Sequence, residues 1–84
     1  MGDEEKRIVA SLQAGEFVLS IHAAHRMDQR SVTYADIRAC ALSAESCFYQ
    51  RRRGTWRIEG KDLDAKSLTV ICGVDVTIVI VTIF

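Results

Sequence analysis

Hydrophobic positions along this chain follow a helical period first and an extended period later. Ile8, Val9 and Leu12 lie on one face of a segment that Asp3 is placed to cap and Gly15 to stop, with Glu4 and Glu5 near the positive dipole end. Phe17-Val18-Leu19-Ser20-Ile21 is a short apolar run with aromatic and β-branched residues and predicts a strand. From His22 to Arg30 the helical period returns, with Ala23, Ala24 and Met27 opposite a polar line. Thr33 is the expected N-cap of a further helix running to about Glu45, with Asp36 approximating a capping box and Val32 and Ile37 spaced as a hydrophobic staple. Its buried stripe is Ile37, Cys40, Ala41 and Ala44.

After Ser46 the period becomes two. Cys47–Gln50 and Thr55–Glu59 flank an Arg-Arg-Arg-Gly turn and predict a hairpin, in which Trp56 and Ile58 point to one face and Thr55, Arg57 and Glu59 to the other. Gly60 to Lys66 is a polar connection, with Leu63 expected to anchor it to the core. Ser67–Cys72 and Val76–Phe84 form a second hairpin around Gly73-Val74-Asp75. The last strand is apolar on both faces, so it is expected in a central position, since at an edge it invites aggregation. The resulting order, α-β-α-α-β-β-β-β, is that of an α+β domain: N-terminal helices packed on a mainly antiparallel sheet of about four to five strands, one sheet face partly uncovered.

At 84 residues the chain is expected to be a single domain, residues 1–15 an N-terminal helix and residues 16–84 the α+β core. A domain this small buries only about 60 to 65 % of the surface its unfolded chain exposes. Lys plus Arg and Asp plus Glu both number 11, so no overall charge draws the protein to nucleic acid. Charge is instead local: Arg26, Arg30, Arg38, Arg51, Arg52, Arg53 and Arg57 make the middle of the chain basic. Arginine suits bidentate contact with phosphate or carboxylate.

The three cysteines, Cys40, Cys47 and Cys72, are widely spaced and form no CxxC pair. They indicate neither a disulfide framework nor a zinc knuckle, and read as small buried hydrophobes of a reduced compartment. The acidic start has no apolar stretch resembling a signal peptide, and Val76–Phe84 is shorter than the roughly 20 residues a membrane-spanning helix needs. A cytoplasmic location without membrane association is the expectation.

Candidate chemistry centres on His22, Arg26 and Arg30, which fall at i, i+4 and i+8 and therefore stack on one helix face. A titratable base beside fixed positive charge is what a phosphate-handling site needs; a solvated or salt-bridged helix face has the same composition. Cleavage of RNA through its 2′-hydroxyl requires an acid, a base and donors for the charge gathering on phosphate. An imidazole, with an ordinary pKa of about 6.5, serves either proton transfer at neutral pH. In this reading His22 is the acid/base, Arg26 and Arg30 hold phosphate oxygens, Arg57 approaches from the sheet, Arg51 grips the backbone from the hairpin tip, and Tyr49 and Trp56 stack on bases. His22-x-x-His25 has no third ligand at convincing spacing, so neither a metal nor a cofactor is expected.

The run Ser20-x-His22-Ala23-x-x-Arg26-Met27-x-x-Arg30, then Gly54-x-x-Arg57-Ile58-x-Gly60, Leu68-x-Val70 and the closing Ile80-Val81-Thr82-Ile83-Phe84, resembles the bacterial family called domain of unknown function 4258. The resemblance covers roughly Phe17 to Phe84. It departs from the family pattern at Ser31-Val32, where the motif usually continues with Gly and Ile. That family is similar to the RelE and ParE toxin superfamily, so the resemblance implies a RelE-like fold and a toxin-like, metal-independent endoribonuclease acting on messenger RNA, or a degenerate relative of one. It also implies an antitoxin partner of small zinc-finger type. A different class of function, a non-catalytic interaction module that self-associates as a homodimer or binds another protein through its apolar sheet, is compatible with the neutral charge, the small size and the apolar last strand.

Overall fold

The computed structural model describes residues 2–84; Met1, which opens the expected N-terminal segment, lies outside the described residues. Its elements are α1 (Asp3–Ala14), β1 (Val18–Leu19), α2 (Ile21–Arg30), α3 (Tyr34–Leu42), β2 (Ser46–Gln50), β3 (Thr55–Lys61), β4 (Ser67–Val74) and β5 (Ile78–Ile83). The α+β class and the order of elements are as expected. The sheet has five strands in the order β1-β5-β4-β3-β2, with β1 parallel to β5 and every other pair antiparallel.

Strand alternation decides what the helices cover. Ile58, Leu68, Val70, Cys72, Ile78, Ile80 and Ile83 form one face and join Ile8, Leu12, Ala23, Met27, Ile37, Cys40 and Ala41 of the helices in one core. Each fully buried Ile or Leu contributes about 1.5 to 3 kcal/mol of transfer free energy, enough to hold a helix layer on one side. Gly60 lies where α3 comes closest to the sheet: a Cβ there would collide with the backbone carbonyl of Cys40. The opposite face, with Phe48, Arg57, Glu59, Thr69 and Thr82, carries no helix among the described residues, so the expected open sheet face is present.

Several local expectations are corrected. Gly2, not Asp3, occupies the N-cap of α1, and no side chain caps it; Asp3 is the first helical residue. The strand expected over Phe17–Ile21 is only Val18–Leu19, because Ser20 becomes the N-cap of α2, its hydroxyl accepting from the Ala23 amide, and Ile21 is already helical. The third helix ends at Leu42 rather than near Glu45. Leu63 does not anchor the β3–β4 connection through its side chain, which is 65 % exposed. Its backbone amide does so, donating to Asp36 Oδ1 at 3.1 Å. The second turn sits at Asp75–Thr77, since β4 continues to Val74.

Asp36 is buried and completes the expected capping box: its Oδ2 accepts from the Thr33 amide at 2.9 Å and its own amide donates to Thr33 Oγ1 at 3.2 Å. The Thr33 amide is the main reason its carboxyl is held below the usual range, against the opposing effect of burial and with help from Leu63. Ser31 ends α2 in the left-handed region at φ 54° and ψ 38°. The turn therefore keeps a conformation that glycine adopts without strain, and serine bears the cost.

Candidate functional site

The open face of the sheet is concave over a groove of about 520 Å³ lined by Gln50, Arg53, Thr55, Arg57, Ile71, Val81, Thr82 and Phe84. Register explains the convergence. Gln50 pairs with Thr55, Arg57 with Ile71, and Ile71 with Thr82, so these side chains share one face across four strands. A bulge between β4 and β5 leaves Val81 without a partner between Ile80 and Thr82, and the added kink turns the end of β5 over the groove. Phe84 is fixed there by two backbone bonds with Thr69, at 2.7 and 2.9 Å.

Arg57 is the organising cation. Its guanidinium carbon lies 5.1 Å from the centre of the Phe84 ring, and its Nη2 is 3.1 Å from Glu59 Oε2. Glu59 also accepts from Ser46 Oγ at 2.8 Å, and that bond first, then Arg57, holds its carboxyl below the ordinary range. Arg57 is thus aimed along the sheet by a carboxylate on one side and an aromatic face on the other. Arg53, at the hairpin end of the groove, is exposed and has no carboxylate partner among the described residues. Two guanidinium groups, an amide, two hydroxyls and an aromatic ring make a surface able to take a phosphodiester and stack one base.

The helix line is partly structural. Arg26 is half-buried and its Nε donates to the Ile83 carbonyl at 3.3 Å, while Ser20 Oγ donates to the Val81 carbonyl at 2.7 Å. Both carbonyls belong to β5 beyond the point where β1 has ended. Ala23 and Met27 are core residues. His22 and Arg30 remain exposed, and the imidazole of His22 makes no hydrogen bond among the described residues. The carboxylate partners that a salt-bridged face would need are absent among the described residues for Arg26 and Arg30; Glu59 belongs to Arg57.

The sequence-derived residues therefore fall into three places. His22, Arg26 and Arg30 run along α2 beside the outer edge of β5, Arg57 lies in the groove, and Arg51 is at the exposed hairpin tip. Arg26 on Ile83 and Arg57 on Phe84 bring α2 and the groove to consecutive residues of the chain. Tyr49 and Trp56 are not with Arg57. They pair across β2 and β3 on the helix-covered face, with ring centres 5.3 Å apart. Gln50 and Thr55 were legible from strand alternation, but Thr82 and Phe84 were not, because their position depends on the bulge.

Among the described residues no three His, Cys, Asp or Glu side chains come close enough to hold a metal ion, and no helix is long and apolar enough to cross a membrane. Burial pushes the thiols of Cys40 and Cys47 up to about 11 and that of Cys72 to about 12, which keeps them protonated and unreactive at neutral pH. A family model described as Domain of unknown function (DUF4258) matches residues 19–84. No curated protein and no solved structure matches the chain.

Proposed function

The chain belongs to the family of domains of unknown function DUF4258, and from that premise we propose that it is a toxin-like endoribonuclease that lays single-stranded RNA across the open sheet face. The observation that carries this reading is Arg57 held over Phe84 in a groove shared with Arg53, Gln50, Thr55 and Thr82. Base stacking on Phe84 and phosphate contact by Arg57 and Arg53 bind the strand, with Arg51 at the rim adding affinity without sequence preference. The RNA then continues past the end of β5 to α2. There His22 takes the proton of the 2′-hydroxyl or gives one to the leaving 5′-oxygen, with water making the other transfer, and Arg26 and Arg30 hold the phosphate oxygens. Arg26 keeps its terminal nitrogens for this, since its Nε is the atom bound to Ile83. The products are a 2′,3′-cyclic phosphate and a 5′-hydroxyl, with no metal in the step. An antitoxin neutralises such a site by covering the groove.

The test compares wild type, Arg57→Ala and His22→Ala for binding and cleavage of a short single-stranded RNA, beside growth on induced expression. Arg57→Ala is expected to weaken binding by about tenfold. His22→Ala is expected to bind normally and to cleave at least about a hundredfold more slowly. Wild-type protein that neither binds nor cuts RNA, and whose induction leaves growth unchanged, ends this reading.

A further inference from the structure

We infer that a second copy of this chain pairs with β2, edge to edge and antiparallel, to form a continuous sheet across a two-fold axis at Phe48. β2 lies at one end of the sheet, and among the described residues β3 is its only neighbour. Its five residues, Ser46-Cys47-Phe48-Tyr49-Gln50, carry no charge, no proline and no bulge, which are the usual means of blunting an edge. Phe48 and Tyr49 are 43 % and 49 % exposed. Among the described residues no side chain hydrogen-bonds to the β2 backbone, in contrast to β5, whose free carbonyls Ser20 and Arg26 occupy.

Charge identifies the occupant. Glu45 and Arg51 flank β2 at equal distances in sequence from Phe48, and both are exposed. An antiparallel pairing centred on Phe48 sets Cys47 opposite Tyr49, Ser46 opposite Gln50, and Glu45 of each copy opposite Arg51 of the other. Parallel pairing in register sets Glu45 against Glu45 and Arg51 against Arg51, which is repulsive. The edge is therefore complementary to itself in one orientation. Glu45 is free to turn outward, because its present contact with Lys61 is long, 3.7 Å, and exposed.

A two-fold axis normal to the sheet keeps both open faces on the same side. The two grooves, each centred near β4, then lie about 24 Å apart at the ordinary strand spacing. In the dimer Arg51 pairs across the axis and its contact with RNA belongs to the monomer, while Arg52 and Arg53 stay free at each hairpin tip. The contact is a single strand pair with its flanking side chains, below the size of a standard interface, so association in the micromolar range is expected. This inference does not depend on RNA cleavage.

Sedimentation from low micromolar to sub-millimolar concentration is expected to show a monomer converting to a dimer. Glu45→Arg and Arg51→Glu should each raise the dimer dissociation constant by about tenfold or more, and the double reversal should restore it. Both positions are exposed, and circular dichroism checks that the variants fold. Phe48→Cys in a Cys47→Ser background should oxidise to a cross-linked dimer. A monomer at every concentration, single reversals without effect, a double variant as weak as the singles, or failure of Phe48→Cys to cross-link would each overturn the pairing.

Discussion

The two edges of the sheet are finished in opposite ways. At the β5 edge, β1 covers only two residues, and beyond it the Ser20 hydroxyl and the Arg26 guanidinium take the Val81 and Ile83 carbonyls. At the β2 edge the backbone has no such partners, and the strand is tied inward by Ser46, Glu59 and Arg57 on the open face. The β5 edge thus uses a hydroxyl and a permanently charged group, whereas the β2 side depends on a carboxylate. A short motif near the start of the chain guards a strand at its end, which gives much of the family marker an architectural reason independent of chemistry.

The most damaging way to break this arrangement is Gly60→Ala. The added Cβ meets the Cys40 carbonyl and drives α3 off the sheet that joins both edges, so a loss of about 3 kcal/mol or more is expected in denaturant unfolding. Ser20→Ala removes the α2 cap and the Val81 bond together, and should cost about 1 to 2 kcal/mol by the same measurement. Arg26→Leu keeps the bulk and loses only the Ile83 bond. About 1 kcal/mol is expected, with faster amide exchange at the end of β5. Ser31→Gly relieves the left-handed turn at the end of α2 and should stabilise the guarding helix by about 0.5 to 1 kcal/mol.

Acid should distinguish the edges most finely. The carboxyl of Glu59 is held below its ordinary 4.5 in the folded protein, so its contribution is complete above that pH and is lost as pH falls through the lowered value. Amide exchange followed on acidification should loosen β2 while the β5 carbonyl contacts, which contain no titrating carboxylate, hold. Equal loosening of both edges would contradict this account.

Much of the architecture was readable in the residues. The Thr33-Asp36 capping box, the stop at Gly15, the switch to period two at Ser46 and the alternation that sends Arg57 away from Trp56 all depend on neighbours close in sequence. Errors appeared where a residue had two competing uses. Ser20 belongs by pattern to an apolar strand, yet its hydroxyl stabilises a helix start and shortens that strand. Leu63 has an anchor's side chain, yet its backbone amide does the anchoring.

By itself, the sequence determined the α+β class, the order of elements, the apolar face of each, and the line of His22, Arg26 and Arg30 on one helix. These follow from periodicity and capping, which act over a few residues. Only the tertiary structure decided that Arg26 would close the β5 edge, that Phe84 would lie under Arg57, and that β2 would be left open. The reason is that strand order, register and the bulge at Val81 are set by how faces pack across the whole sheet, and no local period encodes them.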